Sequence, residues 1–284
     1  MQSLSRERTE STALPDTIGK KSGGGYWGRF PTVARYAVLV LALLGAWQLY
    51  VSLSGTQALI LPGPVDVAKA FVEGWADGRL ASATLVTLKT LCIGMVIGMA
   101  VALILTAFAT WTKVGEDLLS LLTSMLNPVP AIAILPLAIL WFGLNPTALI
   151  FVIVYSITWP IAINVSTGFE TVNPTLVMVG RNLGLGGWRM AGDVLFPAAL
   201  PHTISGLRTG WAFGWRTIVA AELVFGVAGK GGGLGFFIND ARYFLRIPEV
   251  FAGIVTIALI GILIEAIFNA VERRTVIRWG MMNG

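Results

Sequence analysis

Charged side chains are scarce in this sequence. Only 12% of its 284 residues are Asp, Glu, Lys or Arg, and 55% are hydrophobic, whereas a soluble domain carries about 25% charged residues. This shortage argues against an ordinary soluble domain and indicates lipid as the main solvent of the chain. The net charge of +5 does not predict a nucleic-acid partner, because the basic residues lie mainly at the ends of apolar blocks, a pattern typical of membrane topology.

Cysteine and histidine occur once each, as Cys92 and His202. The chain can therefore form neither an internal disulfide nor a Cys/His metal cluster. The ATP-binding pattern Gly-x-x-x-x-Gly-Lys-Ser/Thr is also missing, since Gly229-Lys230 is followed by Gly231. Neither a nucleophile elbow nor a dinucleotide fingerprint occurs in a strand–turn–helix context. We therefore predict a non-catalytic chain without cofactor-binding or metal-binding residues.

Six apolar blocks are long enough to cross a membrane, since about 20 helical residues span the hydrocarbon core. Lipid-exposed backbone must satisfy its own hydrogen bonds, so each block is predicted to be a helix. The blocks cover residues 36–54, 83–110, 118–142, 147–166, 203–226 and 250–270. The predicted fold is an all-α polytopic membrane protein with about six transmembrane helices, and a seventh span or re-entrant segment remains an alternative.

One transmembrane domain is predicted over residues 35–274, between two tails. Residues 1–34 mix Ser, Thr, Gly and charges without an apolar period, which favours a flexible tail. The alternative is a secretory signal peptide, but the charged region is unusually long and no small-residue cleavage site follows the first block. Residues 275–284 are predicted to form the second tail, on the same side as the first.

The basic residues orient this domain. With the amino-terminal tail in the cytoplasm, twelve basic residues fall in inner segments and five in outer ones, as the positive-inside rule expects. The inner set is Arg6, Arg8, Lys20, Lys21, Arg29, Arg35, Lys113, Arg181, Arg189, Arg273, Arg274 and Arg278. The outer set is Lys69, Arg79, Lys230, Arg242 and Arg246. Both termini are therefore predicted to be cytoplasmic, in a multi-pass protein.

Prolines interrupt two of the blocks. Pro128 and Pro130 lie inside the third block and Pro160 inside the fourth. Proline removes a backbone donor and clashes with the preceding helical turn, so a kink or break is predicted at these residues. Such a kink is either a tolerated feature of packing or a functional hinge.

The fifth block has one face of small residues. Gly206, Gly210 and Gly214 follow one another at four-residue spacing, which lets another helix approach closely. Arg208, Trp215 and Glu222 fall on the opposite side, within about 40° of one another. We predict a helix-packing seam opposite a polar stripe.

Charged residues within spans are costly and usually face a protein interior or an aqueous cavity. Lys89, Arg208, Trp215, Arg216 and Glu222 are therefore the candidate residues of a translocation path. The alternative is structural: Arg208 and Lys89 extend to the headgroups, and Arg216 forms a fixed ion pair with Glu222.

The segment between the fourth and fifth blocks, at about residues 174–201, carries a spaced motif. It resembles the EAA loop of bacterial importer permeases, in which Glu-Ala-Ala, three residues, Gly and nine residues precede Ile-x-Leu-Pro. Gly184, Val194, Phe196 and Pro197 have this spacing. The triplet falls on residues 178–180, where the acidic residue and both alanines are missing.

The resemblance extends from the second block to the carboxyl terminus. It is carried by Pro128-x-Pro130, Leu135-Pro136, Leu140-Trp141-Phe142-Gly143, Ala220-Ala221-Glu222, Gly233-Leu234-Gly235 and Glu272-Arg273-Arg274. With these motifs the chain resembles the nitrate/sulfonate/bicarbonate (taurine-type) permeases of ATP-binding cassette importers. The resemblance implies the MetI-like fold of type I importers and a place in the bacterial inner membrane.

The resemblance also implies partners. These are a second permease copy, two cytoplasmic ATPase subunits that bind ATP and Mg²⁺, and an extracytoplasmic solute-binding protein. The EAA-like loop would form a coupling helix seated in the ATPase, with Arg181, Leu183, Gly184, Leu185 and Trp188 at the contact. The alternative for this loop is an amphipathic helix on the headgroups, anchored by Trp188 and Arg189.

These observations lead to a functional hypothesis of alternating access, in which partner ATPases drive import of a small anion such as nitrate, bicarbonate or a sulfonate. Cationic side chains in a low-dielectric path would attract such an anion. The alternatives are a secondary transporter or channel driven by an ion gradient, with Glu222 carrying protons, and a membrane scaffold that transports nothing.

Overall fold

The computed structural model describes residues 32–55, 57, 59–225, 232–272 and 274, and within these ranges the ordered elements are helices, without a strand. The chain divides into two compact units, residues 1–50 and 51–284. The helix α1, Thr32–Ser54, begins in the first unit and ends in the second, and most of its residues are exposed. Both predicted tails lie outside the described residues, apart from the start of α1.

The second unit contains eleven further described α-helices. These are α2 (Pro64–Ala76), α3 (Arg79–Trp111), α4 (Lys113–Leu126), α5 (Leu135–Phe142), α6 (Pro146–Glu170), α7 (Pro174–Asn182), α8 (Gly187–Met190), α9 (Phe196–Ala198), α10 (Leu200–Phe225), α11 (Leu234–Tyr243) and α12 (Ile247–Glu272). A 3₁₀ turn, Ala131–Ile134, leads into α5, and a π turn, Ala191–Leu195, connects α8 to α9.

Four described helices are long and apolar enough to cross a membrane, namely α1, α3, α6 and α12. A fifth span is formed if α4 and residues 131–142 are counted as one bent pair. The fifth predicted block forms α10, whose 26 residues reach about 39 Å. Its charged residues make α10 more polar than the other spans, and the all-α polytopic fold is confirmed.

The proline-containing third block is broken. Helix α4 ends before Asn127, and the helical segment that resumes at Ala131 is bent by 90° from it. Pro128 and Pro130 cannot donate the backbone hydrogen bonds that a continuous helix requires. In contrast, α6 continues through Pro160 without a break, so the two proline sites differ in their effect.

Helix α6 forms the centre of the main apolar core. Ile157, which is fully buried, packs between glycines of two neighbouring helices. A Cβ atom on Gly98 of α3 would lie 3.2 Å from Ile157, and one on Gly214 of α10 would lie 2.7 Å from it. Because these glycines carry no side chain, the three helices approach closely on both sides of Ile157.

The order of these contacts gives the helix directions. Gly94 and Gly98 meet Ile153 and Ile157 in the same order, so α3 and α6 run parallel. Gly206 meets Asn164, whereas Gly214 meets Ile157, so α10 runs antiparallel to α6. Residues 171–199, which connect α6 to α10, therefore lie at the end of the bundle opposite to the start of α6.

An ion-pair network joins the ends of three helices on the other side of the bundle. The guanidinium of Arg79 donates to Glu249 Oε2 at 2.9 Å, and Arg246 donates to the same oxygen at 2.9 Å. Arg246 also donates to Asp240 Oδ2 at 2.6 Å. The beginnings of α3 and α12 and the end of α11 are thereby held together.

Candidate functional site

Glu222 lies in the interior, with only 4% of the residue exposed. Its carboxylate accepts hydrogen bonds from the Thr87 hydroxyl at 2.9 Å and from the Gly235 N–H at 2.9 Å. The Leu234 N–H donates to Thr87 Oγ1 at 2.8 Å. Glu222 and Thr87 together satisfy the first N–H groups of α11. This is a structural capping arrangement that the sequence alone did not indicate.

The glycines of the motif Gly233-Leu234-Gly235 allow the start of α11 to lie close to Glu222 of α10. A Cβ atom on Gly235 would lie 2.6 Å from both Glu222 Cβ and the Val219 carbonyl oxygen. Because the second of these atoms belongs to the backbone, a side chain at residue 235 would displace α11 from α10. Two motifs that are separate in the sequence thus form one contact.

Arg208 is neutralised by carboxylates of α12. Its guanidinium donates to Glu265 and, at 3.2 Å, to Glu272 Oε2. On the same face, Trp215 is buried and stacks on Trp211, with ring centroids 6.2 Å apart and planes 8° apart. The predicted polar stripe therefore packs largely against other protein groups.

Among the candidate path residues, Lys89 and Arg216 are exposed cations that form no ion pair within the described part of the chain. The Arg216 guanidinium lies 5.9 Å from the centroid of the Phe213 ring. Within the described ranges no carboxylate lies within 4.0 Å of either cation. The alternative of a fixed ion pair between Arg216 and Glu222 was wrong. Glu222 instead accepts hydrogen bonds from the Thr87 hydroxyl and from the Gly235 N–H of α11.

A cavity of about 160 Å³ lies at the break between α4 and α5. We call it the proline-break cavity. It is lined by residues 127–131, by Tyr155, Ser156 and Trp159 of α6, and by Phe213 and Thr217 of α10. The Tyr155 hydroxyl donates to the Leu126 carbonyl at 2.6 Å, which fastens α6 to the end of α4.

A larger cavity, of about 480 Å³, lies at the end of the bundle that carries the α6–α10 connection. Its lining includes the carboxylates of Glu116 and Glu170 and the side chain of Leu195. Two carboxylates make this cavity a poor place for an anion, because like charges repel.

The predicted coupling loop is a chain of short helical elements. Helix α7 ends in a Schellman motif, in which the Gly184 N–H donates to the Arg181 carbonyl at 2.9 Å and the Leu185 N–H to the Gly180 carbonyl at 3.0 Å. Gly184 has φ +75°, a conformation that glycine adopts without steric cost. The glycine of the motif is therefore explained by helix termination.

The surface of this loop is partly apolar. Leu183 is 74% exposed, Phe196 and Pro197 are also exposed, and Leu185 and Val194 are half-buried. Arg181 is exposed beside them. Trp188 lies in α8, and its side chain is outside what the structure describes. The exposed side chains form a surface of the kind that a partner protein covers.

Residue 180, where the family motif has an alanine, packs inside the loop. A Cβ atom on Gly180 would lie 3.0 Å from Met190 Cε and 3.3 Å from Val194. A small residue is therefore needed at this position for α7 to pack against the π turn.

The described residues form a helical bundle with a broken span and an exposed loop between α6 and α10, an architecture that is consistent with a membrane transport domain. Residues 91–277 match the family described as binding-protein-dependent transport system inner membrane component. The chain belongs to this family, and its relatives identify it as an ATP-binding cassette importer permease of the sulfonate, taurine and nitrate type. Family membership also implies ATPase and solute-binding partners in general.

Several relatives support this assignment. A Bacillus subtilis protein named for aliphatic sulfonate transport, SsuC, is 31% identical over 271 residues, which cover 94% of this chain and 95% of the relative. The taurine transport system permease protein TauC of Escherichia coli is 32% identical, covering 82% and 85%. The nitrate import permease protein NrtB of Synechocystis is 31% identical, covering 85% and 89%.

The fold is shared with a solved transporter. The crystal structure of an amino acid ABC transporter with histidines superposes with a TM-score of 0.55 at 18% identity, covering 72% of this chain and 98% of that one. At this identity the likeness shows the fold alone.

Proposed function

We propose that this chain forms the path of an ATP-driven importer for a small anion, a sulfonate or nitrate, and that it works by alternating access. The proposed importer contains two copies of the chain, two cytoplasmic ATPases that bind ATP and Mg²⁺, and one extracytoplasmic solute-binding protein. Both termini lie in the cytoplasm. In this arrangement the chain itself performs no chemistry and supplies selectivity and motion.

The observation that carries the proposal is the direct connection of the coupling loop to α10. The Ala199 N–H donates to the Leu195 carbonyl at 2.9 Å, and the Thr203 N–H donates to the Ala199 carbonyl at 3.0 Å. Hydrogen bonds thus run from the π turn into α10, which carries Arg216. A displacement of the loop by an ATPase is therefore transmitted to the helix that bears an exposed cation.

The opposite side of the same junction is closely packed. A Cβ atom on Gly168 of α6 would lie 2.8 Å from His202 Cβ and 3.1 Å from Ala199 Cβ. Close packing at this point means that a push on the loop moves α6 and α10 together, since packed interiors transmit strain.

The experiment is an uptake panel with the reconstituted complex. Permease, ATPase and binding protein would be placed in liposomes with ATP supplied to the ATPase side, and uptake of taurine, methanesulfonate, nitrate and bicarbonate measured in parallel. We expect uptake of at least one of these anions that requires ATP hydrolysis. Liposomes that contain the permease alone, with an imposed proton gradient, serve as the comparison. Gradient-driven uptake without the ATPase would show a secondary transporter instead.

A further inference from the structure

We propose that the proline-break cavity holds the oxyanion head group of the transported solute, as a binding site within the permease. The inference rests on the proposed function, because it names where the imported anion is held. Three observations support the inference: the hydrogen-bond donors around the cavity, the volume of the cavity, and the positive charge of the nearby Arg216.

Two hydroxyl groups meet at the wall of the cavity. Ser156 Oγ of α6 and Thr217 Oγ1 of α10 are 2.8 Å apart. Each hydroxyl has a single proton, so their mutual hydrogen bond uses one proton and leaves the other to donate elsewhere. An oxyanion in the cavity is an acceptor for that second proton.

Trp159 adds a donor without an acceptor. Its ring lines the cavity, the residue is only 9% exposed, and its Nε1–H is buried with no hydrogen-bond partner among the described residues. Indole nitrogen can only donate, and a buried donor that stays unpaired is unfavourable. An oxyanion within hydrogen-bonding distance would satisfy this donor.

The broken span contributes a helix terminus to the same cavity. Residues 131–142 form a continuous helical segment whose amino-terminal residue, Ala131, lines the cavity. The positive end of a discontinuous membrane helix stabilises an anion. This terminus coincides with the hydroxyl pair and the indole, so three kinds of donor converge.

Charge and size also suit a small oxyanion. Phe213 lines the cavity and carries the Arg216 guanidinium over its ring, whereas no carboxylate lines the cavity. The volume of the cavity is about 160 Å³. That space accommodates nitrate or a sulfonate head group.

The test uses two variants that remove donors from the cavity wall. The double variant Ser156→Ala/Thr217→Val removes both hydroxyls, and Trp159→Phe removes the indole N–H and leaves a smaller aromatic ring. Thr209→Val is the matched control, because Thr209 lies on the same helix and its hydroxyl donates only to its own backbone, at Ser205 O. The complete complex is reconstituted with its binding protein, and taurine uptake, nitrate uptake and binding-protein-stimulated ATP hydrolysis are measured.

We expect both test variants to lower the number of anions transported per ATP by about tenfold, the effect of one hydrogen bond to a charged group. The ratio of taurine to nitrate uptake should also change, because the two head groups differ in shape, while Thr209→Val behaves as wild type. Transport by all three variants with the wild-type ratio would overturn the inference and leave the proposed function standing. A fall in uptake with an unchanged ratio would assign these residues to packing and also overturn it. If the wild-type complex imports none of the anions, the proposed function itself is wrong.

Discussion

Thr87 and Glu222 are 135 residues apart in the sequence, and a buried hydrogen bond of 2.9 Å joins them. The Leu234 N–H donates to Thr87 Oγ1 at 2.8 Å, and the Gly235 N–H donates to Glu222 Oε2 at 2.9 Å. Three helices, α3, α10 and α11, therefore meet at one carboxylate. The position of α11 depends on this carboxylate.

Replacement of Glu222 by alanine should destabilise the protein. The change leaves the Thr87 hydroxyl and the Gly235 N–H without their acceptor, and each unpaired buried donor costs about 1–3 kcal/mol. The measurement is the thermal unfolding midpoint in detergent, which should fall by several degrees. Glu73→Ala, at an exposed position in α2, is the control and should leave the midpoint unchanged. An equal midpoint for both variants would contradict the capping role.

Alanine at two glycines should have opposite effects. A Cβ atom on Gly206 would lie 2.9 Å from Asn164 Cβ, which can yield only if the backbone moves, whereas one on Gly261 would have 3.7 Å to its nearest neighbour. Gly206→Ala should therefore destabilise α10 against α6 by about 1–3 kcal/mol, less the gain in helix propensity. Gly261→Ala should be neutral or stabilising by up to about 1 kcal/mol. Unfolding midpoints of the two variants, measured side by side, test this difference.

Valine at Gly184 should uncouple transport from ATP hydrolysis. The residue has φ +75°, and a β-branched side chain in that region costs about 1–2 kcal/mol. The Schellman turn would open and displace the exposed Leu183. We expect anion uptake to fall about tenfold while ATP hydrolysis by the complex continues. Circular dichroism should show that the membrane helices stay folded. Gly186→Val is the control, because its Cβ would meet nothing within 4 Å and no positive φ is recorded there; similar losses in both variants would point to a general defect of the loop.

Neutralising Arg216 should matter more for transport than for stability. The Arg216 side chain is exposed without an ion pair in the described structure, whereas Arg208 is paired with Glu265 and Glu272. Arg216→Gln should lower ATP-coupled uptake by about tenfold or more, since an unpaired cation is free to attract the anion. Arg208→Gln should mainly lower the unfolding midpoint. Uptake and unfolding are measured for both variants, and wild-type uptake by Arg216→Gln would remove this residue from the path.

The stabilising effect of Asp77 should disappear in acid. Hydrogen bonds from the Arg79 backbone N–H and guanidinium hold the pKa of Asp77 below its ordinary value. A carboxyl whose pKa is lowered on folding stabilises the protein above its unfolded pKa, and the effect is lost as the pH falls through the folded pKa. The difference in unfolding midpoint between wild type and Asp77→Asn should therefore shrink from pH 7 to pH 3. A difference that stays constant would exclude this linkage.

The spans could be predicted because their signals are local. Long apolar runs predicted α3, α6 and α12, and Pro128 and Pro130 predicted the break between α4 and α5. The spacing of Gly206, Gly210 and Gly214 depends only on helix geometry, and the structure places these glycines against α6. The family could also be predicted, since its motifs keep their order along most of the chain.

The partners of the charged residues could not be predicted, because they are set by contacts distant in sequence. Arg216 and Glu222 are close enough in sequence to suggest a pair, yet Glu222 bonds to Thr87 instead. The sequence around Arg208 does not indicate that its partners are Glu265 and Glu272 of α12. Ser156, Trp159 and Thr217 are unremarkable in their own helices, and only the fold brings them to one cavity.

The position of Ile157 between glycines on both sides has a consequence for motion. Gly98 lies on one side of Ile157, and Gly210 and Gly214 lie on the other. The Ile157 side chain therefore holds α3, α6 and α10 in a fixed register. These three helices can move together as a rigid body. Sliding of one helix along another would move Ile157 from the glycines to residues with side chains, where it would clash. Within the described bundle, relative motion is therefore expected at the bend near Pro128, where α4 and residues 131–142 meet at 90°.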